Sequence, residues 1–194
     1  ISPRYPIVET LNGLLYVLTF FALDINAKAI ITCVLMSLLV VVAFMDWDTM
    51  EIDQIILGII LLLAVPLAIF TDDVSLKSRI IGAFAISVPF FIIGEVSRPI
   101  IRKRFGEDFR AIELGDTLLM VSAGAVLGTR AVIVSALIGI ISAAIGGVII
   151  KSVTSESKFA FGPFLSIGIA VSALWGNDIA QWYLNILSHA AQTR

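Results

Sequence analysis

From Ala29 to Met45 the chain carries no charged residue, and the residue that follows is an aspartate, Asp46. An apolar run of this length leaves two solutions: a fully buried core helix, or a helix that crosses a bilayer, whose hydrocarbon core takes about 20 apolar residues. Further runs decide between them. Similar stretches recur at roughly 7–23, 54–70, 80–96, 117–128, 131–150 and 159–184. With 59% hydrophobic and 14% charged residues and a mean hydropathy of +1.03, the chain has too little polar surface to wrap these runs in a soluble core. Ordinary soluble domains run about 45–50% apolar and 25% charged. The expectation is an all-α polytopic membrane bundle of about seven spanning or partly spanning helices. Residues 1–194 read as one domain, because no repeat or long linker divides them. The stretch 117–128 is too short to span comfortably and is expected to lie obliquely or half-buried.

A net charge of -2 points to no nucleic-acid partner. The positions of the charges say more, because loops on the cytoplasmic side carry the excess of Lys and Arg. Threading the seven stretches back and forth puts Arg4, Arg98, Arg102, Lys103, Arg104, Arg110, Lys151 and Lys158 on one side. Lys28, Lys77, Arg79, Arg130 and Arg194 fall on the other. The N-terminus is thus expected on the cytoplasmic side of the inner membrane. The dense basic loop from Ser97 to Gly115 reads as a topology determinant that touches anionic head groups. Two acidic blocks, Asp46 to Asp53 and Glu113 to Asp116, fall on that same side, where they can meet. Trp47, Trp175, Trp182 and Tyr183 lie near predicted helix ends, where amphipathic rings favour the membrane interface.

Those acidic blocks carry the chemistry. Cys33 is the one cysteine and His189 the one histidine, so no disulfide framework, CxxC zinc site, Ser/His/Asp triad, Cys/His pair or HExxH site can be built. Cys33 reads as a buried inert thiol and His189 as a surface residue. An ionised Asp at the edge of an apolar segment is costly unless it faces a wet cavity or does work. Two carboxylates in proximity share a proton: the ionised one activates water while the protonated one polarises a carbonyl. The structural alternatives are plain. Asp116 could be a helix N-cap, and Asp46, Asp48, Glu51 and Asp53 could be solvated acids ending a helix. Gly115 would let the backbone turn tightly or a substrate strand approach. Gly162 and Pro163 would interrupt the last helix, as a kink in preference to an opening that admits an extended substrate. Paired acids also serve proton- or cation-coupled transporters, but those place them within the membrane, often between inverted repeats, and none is visible here. A non-enzymatic membrane scaffold would leave the acids without a job.

Several blocks together resemble the type IV prepilin peptidase family of GxGD-type membrane aspartyl proteases. The opening segment with Arg4, Tyr5, Pro6 and Glu9 is similar to the family's region after its cytoplasmic loop. FMDWDTMEID, residues 44–53, resembles its first catalytic block, and ELGD, residues 113–116, resembles the GxGD block. FGPFLSIGIAVSALWG, residues 161–176, resembles a helix near its C-terminus. The resemblance implies Asp46 and Asp116 as catalytic residues, with Asp48, Glu51, Asp53, Glu113, Gly115 and Glu9 in supporting or substrate-binding roles. It further implies cleavage, at the cytoplasmic face, of the basic leader of type IV prepilins or type II secretion pseudopilins. Many members also methylate the new N-terminus with S-adenosylmethionine; proteolysis itself takes no cofactor. Three departures stand out: Glu113 replaces the first Gly of GxGD, no Lys follows Asp116 shortly, and no Pro precedes Asp53. The chain opens at Ile1 without a readable leader. The family's larger members carry an earlier helix and a zinc loop with four cysteines; neither is in this sequence, so no zinc is expected for the chain as given.

Overall fold

A computed structural model describes residues 4–105, 110–153 and 160–192. Among them every regular element is helical: α1 (Arg4–Leu23), α2 (Ala27–Thr49), α3 (Gln54–Leu62), α4 (Ala64–Phe70), α5 (Leu76–Ala85), α6 (Ser87–Phe105), α7 (Leu114–Val153) and α8 (Gly162–Gln192). Five helical stretches are long and apolar enough to cross a bilayer: Arg4–Leu23, Ala27–Thr49, Leu76–Arg104, Leu114–Ser152 and Gly162–Ala190. The shorter apolar Gln54–Phe70 lies between the second and third. The expected polytopic helical bundle is what the chain forms.

Local sequence explains where the helices start and break. Asn26, Asp53 and Ser75 cap α2, α3 and α5 through side-chain oxygens that accept from Ala29, Ile55 and Ser78 N–H groups, satisfying first-turn donors with no intrahelical carbonyl. The run 54–70 is split at Leu63, and 76–105 at Ile86. Each break lies three residues before a proline, Pro66 and Pro89, whose missing N–H and bulky ring deny the preceding turn its regular bond. Pro99, by contrast, lies inside α6, which runs on to Phe105 with Arg102, Lys103 and Arg104 in its last turn. The expected loop from Ser97 to Gly115 is therefore helical over its first half. Basic side chains at a helix C-terminus favour that extension by complementing the helix dipole. Residues 106–109 of that stretch lie outside the described residues, as do Lys158, Phe159 and Arg194.

α7 is a hairpin. Gly128 sits in it at φ 78, ψ 175, outside helical geometry, a backbone state open to glycine but costly to residues with a Cβ. Gly115 packs on Ile52, and Gly146 on the ring of Phe164. Both neighbours lie close in sequence to Asp46 and Gly162, which are hydrogen-bonded to each other. A straight helix would hold Gly115 and Gly146 roughly 46 Å apart. The arms 114–127 and 129–153 therefore run antiparallel, and Gly128 marks the far end of the bundle.

The first arm, expected to lie obliquely or half-buried, is instead enclosed: every residue from Ser122 to Gly128 is buried. Small residues allow this. At the crossing of α5 and the first arm, Gly82 and Gly124 meet backbone to backbone with no room for a Cβ on either. The second arm presents Ala131, Ser135 and Gly139 to Gly168, Leu165 and Gly176 of α8, the close approach through small side chains that packing in lipid relies on. Leu35, Met36, Ile60, Leu119, Met120, Leu165 and Ile169 fill the centre. The large apolar residues of α1 and the outer faces, such as Phe21, Ile30, Phe70 and Ile141, are exposed, as lipid contact demands.

Charges sort by end. Arg4 pairs with Asp48, Arg110 with Glu95, and the basic turn of α6 leads toward them, all at the Asp46 end. Lys28 pairs with Asp73 at the Gly128 end. One residue in the expected sorting is misplaced: Arg79 is a buried side chain one turn into α5, 4% exposed, and is no loop charge. Its Nη1 donates to the Ala125 and Val126 carbonyls at 3.2 and 2.6 Å. Both carbonyls belong to the last turn before the break at Gly128, where an arginine adds donors to a helix C-terminus.

Candidate active site

Asp46 lies in the last turn of α2, 6% exposed. Its backbone carbonyl accepts from the Met50 N–H at 2.8 Å, and Met50, in the left-handed region at φ 54, stops the helix. Its carboxylate turns inward, where Oδ2 accepts from the Gly162 N–H at 2.7 Å. Gly162 is the first residue of α8, so this N–H has no carbonyl of its own helix to bond. Asp46 thus caps a second helix across the bundle, and the positive end of that helix favours its charge. Only glycine permits the contact: a Cβ there would stand 2.8 Å from Oδ2 and 3.0 Å from Cγ.

Gly162 and Pro163 accordingly do not interrupt the last helix, as expected from the sequence, but open it. Proline is tolerated in a first turn because its missing N–H would be unpaired there anyway.

Asp116 is in the first turn of α7, 5% exposed. Its Oδ2 accepts from the Glu113 N–H at 3.2 Å, the reach-back half of a capping box. It caps the helix from inside the first turn rather than from the residue before it. The Glu113 carbonyl in turn accepts from the Thr117 N–H and hydroxyl, both at 3.2 Å. Asp46 lies close enough for its charge to act on Asp116, and Glu113 adds a further negative charge near the same carboxyl. Two nearly buried acids, from the end of α2 and the start of α7, thus share one site at one end of the bundle.

The remaining acids divide. Asp48 is taken up by a two-pronged ion pair with Arg4, Nη2 to Oδ1 at 2.8 Å and Nη1 to Oδ2 at 2.5 Å. Asp53 caps α3, its Oδ1 accepting from Ile55 N–H at 2.7 Å. Glu51, in the turn after α2, and Glu113, just before α7, are exposed, as is Glu9 on α1. Gly115 makes no tight turn; it is helical, and its bare Cα lets Ile52 pack close, 3.2 Å from where a Cβ would be.

That Gly162 holds Asp46 is not legible in residue type, because a backbone donor leaves no trace there beyond the need for glycine. Next to Asp116 in sequence, Thr117 is 7% exposed, and Ser166, one turn into α8 from Gly162, is 5% exposed.

Comparisons with known proteins point the same way. The model of the type IV leader peptidase family matches residues 33–148, a span that contains both acids. Relatives named prepilin leader peptidase/N-methyltransferase include one from Aeromonas hydrophila, 31% identical over 189 residues, covering 95% of this chain and 62% of the relative. Another, from Aeromonas salmonicida, is 29% identical over 192 residues, covering 96% and 63%. One from Neisseria gonorrhoeae is 28% identical over 171 residues, covering 86% and 56%. The chain spans a little under two thirds of the length of the first of these curated relatives. No solved structure matches it significantly. With the family model covering more than half of its length, the acid pair included, the chain belongs to the type IV leader peptidase family.

Proposed function

We propose that the chain is a membrane aspartyl endopeptidase that removes the basic leader of type IV prepilins or type II secretion pseudopilins, with Asp46 and Asp116 as its catalytic pair. The observation that carries this reading is the burial of these two carboxyls, from different helices, at one end of the bundle, near enough that the charge of one acts on the other. In the reaction one carboxylate takes a proton from water as its oxygen attacks the scissile carbonyl carbon. The other, protonated, gives its proton to the carbonyl oxygen. The gem-diol then collapses: the C–N bond breaks, the leaving amine takes a proton from the first acid, and one gem-diol hydroxyl returns its proton to the second carboxylate, restoring the starting pair. The Gly162 N–H holds Asp46 in place throughout, which keeps the two acids in register.

The substrate class follows from what surrounds the pair. Glu51 and Glu113 are exposed beside it and free to meet a basic leader, while Asp48 and Asp53 are occupied with Arg4 and the α3 terminus. The same end carries Arg98, Arg102, Lys103, Arg104, Arg110 and Lys151, so positive charge places it on the cytoplasmic face of the inner membrane in this reading. The outer helix faces would seat the apolar segment that follows the leader. Coupled ion transport is the weaker reading, because both acids lie in terminal turns at one end rather than midway along their helices.

Methylation of the new N-terminus, an activity in the relatives' names, would draw on S-adenosylmethionine. The cavity of about 40 Å³ is too small for it, and the cleft along Pro99, Ile100, Lys103 and Arg104 offers no carboxylate to hold ribose or amine.

The test is cleavage of a prepilin-like peptide by the purified protein in lipid nanodiscs, compared with Asp46→Asn and Asp116→Asn. Wild type should cut, and either variant should lose at least ~100-fold in rate, the lower end of what a positioned acid or base contributes. Cutting by both variants at the wild-type rate, or none by a folded wild type, would sink the proposal.

A further inference from the structure

At the Gly128 end of the bundle, about 21 Å along α2 from Asp46 by helical rise, a cavity of about 40 Å³ opens between α2, α4, α5, α7 and α8. Its polar lining includes Lys28, Thr32, Asp73, Arg79, Ser172 and Asn177. Two of these groups are unusual. Arg79, 4% exposed, spends Nη1 on the Ala125 and Val126 carbonyls, but its Nε is buried with no hydrogen-bond partner. Ser172, 3% exposed, has a buried hydroxyl equally without one. A buried donor without an acceptor is costly, and a charged one more so.

The formal charges of the lining do not cancel. Lys28 and Asp73 form a pair at 2.5 Å, with Asp73 half exposed; Asp73 also acts on Arg79, so two cations share one carboxylate and one positive charge is in surplus. The carbonyl end of the first α7 arm offsets part of it on the Nη1 side. On the Nε side the walls offer no anionic group of their own beyond the committed Asp73. The occupant that fits must accept hydrogen bonds from an N–H and an O–H, carry one negative charge, and be small.

We propose that this cavity is a binding site for a single small monovalent anion, of halide size, held between the Nε–H of Arg79 and the hydroxyl of Ser172. The ion completes the junction of α5, the turn of the α7 hairpin and α8 on the face opposite the acid pair. Its role is to stabilise the bundle, independently of any activity at Asp46.

The experiment uses the full chain in detergent free of phospholipid, at constant ionic strength, with thermal unfolding followed by tryptophan fluorescence in sodium chloride, bromide or gluconate. Gluconate is too large for the cavity. Halide should raise the midpoint saturably, by on the order of 5 °C at a hundred times the dissociation constant, and 35Cl NMR lines should broaden on adding protein. Ser172→Ala should weaken halide binding at least ~10-fold by removing one donor to a charge, and Arg79→Gln should abolish it. Should Arg79→Gln not fold, Ser172→Ala decides. Equal midpoints in halide and gluconate without line broadening would overturn the site. So would an undiminished halide effect in Ser172→Ala. A response to inorganic phosphate or phosphatidylglycerol alone would also overturn it, assigning the cavity to a lipid head group instead.

Discussion

Replacing Gly162 by alanine isolates the contact on which the acid pair depends. The added Cβ would lie 2.8 Å from Asp46 Oδ2, 3.0 Å from Cγ and 3.1 Å from Cβ, whereas non-bonded carbon contacts settle near 3.5–4.0 Å. Either the Asp46 carboxylate or the start of α8 must shift by several tenths of an ångström, and the 2.7 Å bond from the Gly162 N–H is lost or stretched. A hydrogen bond to a charged group is worth about 1.5–3 kcal/mol. Lost from the transition state, that is a rate reduction of roughly 10- to 100-fold. The measurement is kcat for leader cleavage in nanodiscs, with the melting midpoint taken alongside. Gly58→Ala serves as control, since nothing lies within 4 Å of a Cβ there and alanine suits a helix better than glycine. Gly162→Ala should cut slowly with KM little changed, and Gly58→Ala should cut at the wild-type rate. A folded Gly162→Ala with unaltered kcat, beside an active wild type, would refute the idea that this N–H positions Asp46.

Two further expectations follow from the same geometry. Gly128→Ala puts a side chain at φ 78 and against Val74, costing roughly 1–2 kcal/mol in backbone strain alone; the melting midpoint should drop by at least ~2–4 °C, and an unchanged midpoint would mean the hairpin turn is not built as described. Glu51→Lys should raise KM for a basic leader while leaving kcat for a neutral peptide largely intact, whereas an equal loss on both peptides would show that this acid does more than attract the leader.

Much of the fold could be read from the apolar runs, because a helix in lipid must satisfy its own backbone and announces itself by composition. Threading the runs back and forth already turns 117–128 against 131–150; composition does not show that the turn is made at Gly128 or that the shorter arm is enclosed. The acid pair was legible because Asp46 and Asp116 each abut an apolar run, and the sorting of basic residues put them at one end. The partner of Asp46 was not, since a backbone N–H belongs to any residue. Arg79 was read as a loop charge because α5 begins earlier than its apolar pattern does, with Ser75 as cap. Asp48 and Asp53 looked like equals of Asp46 in a cluster of four acids; their neighbours in space, Arg4 and Ile55, gave them structural work.

The hairpin in α7 also acts as a lever. Asp116 stands twelve residues from Gly128, about 18 Å of helical rise, so a tilt of the first arm by only ~3° about that glycine swings the carboxylate by about 1 Å. The fulcrum lies on the membrane face opposite the acids, clamped where Gly82 meets Gly124 and where Arg79 grips the Ala125 and Val126 carbonyls. Asp46 has its own anchor in Gly162, so the gap between the two acids is set by a joint that touches neither of them. A change in bilayer thickness or a lipid wedged at the far face would be read out as a change in the separation of the two acids on the near one.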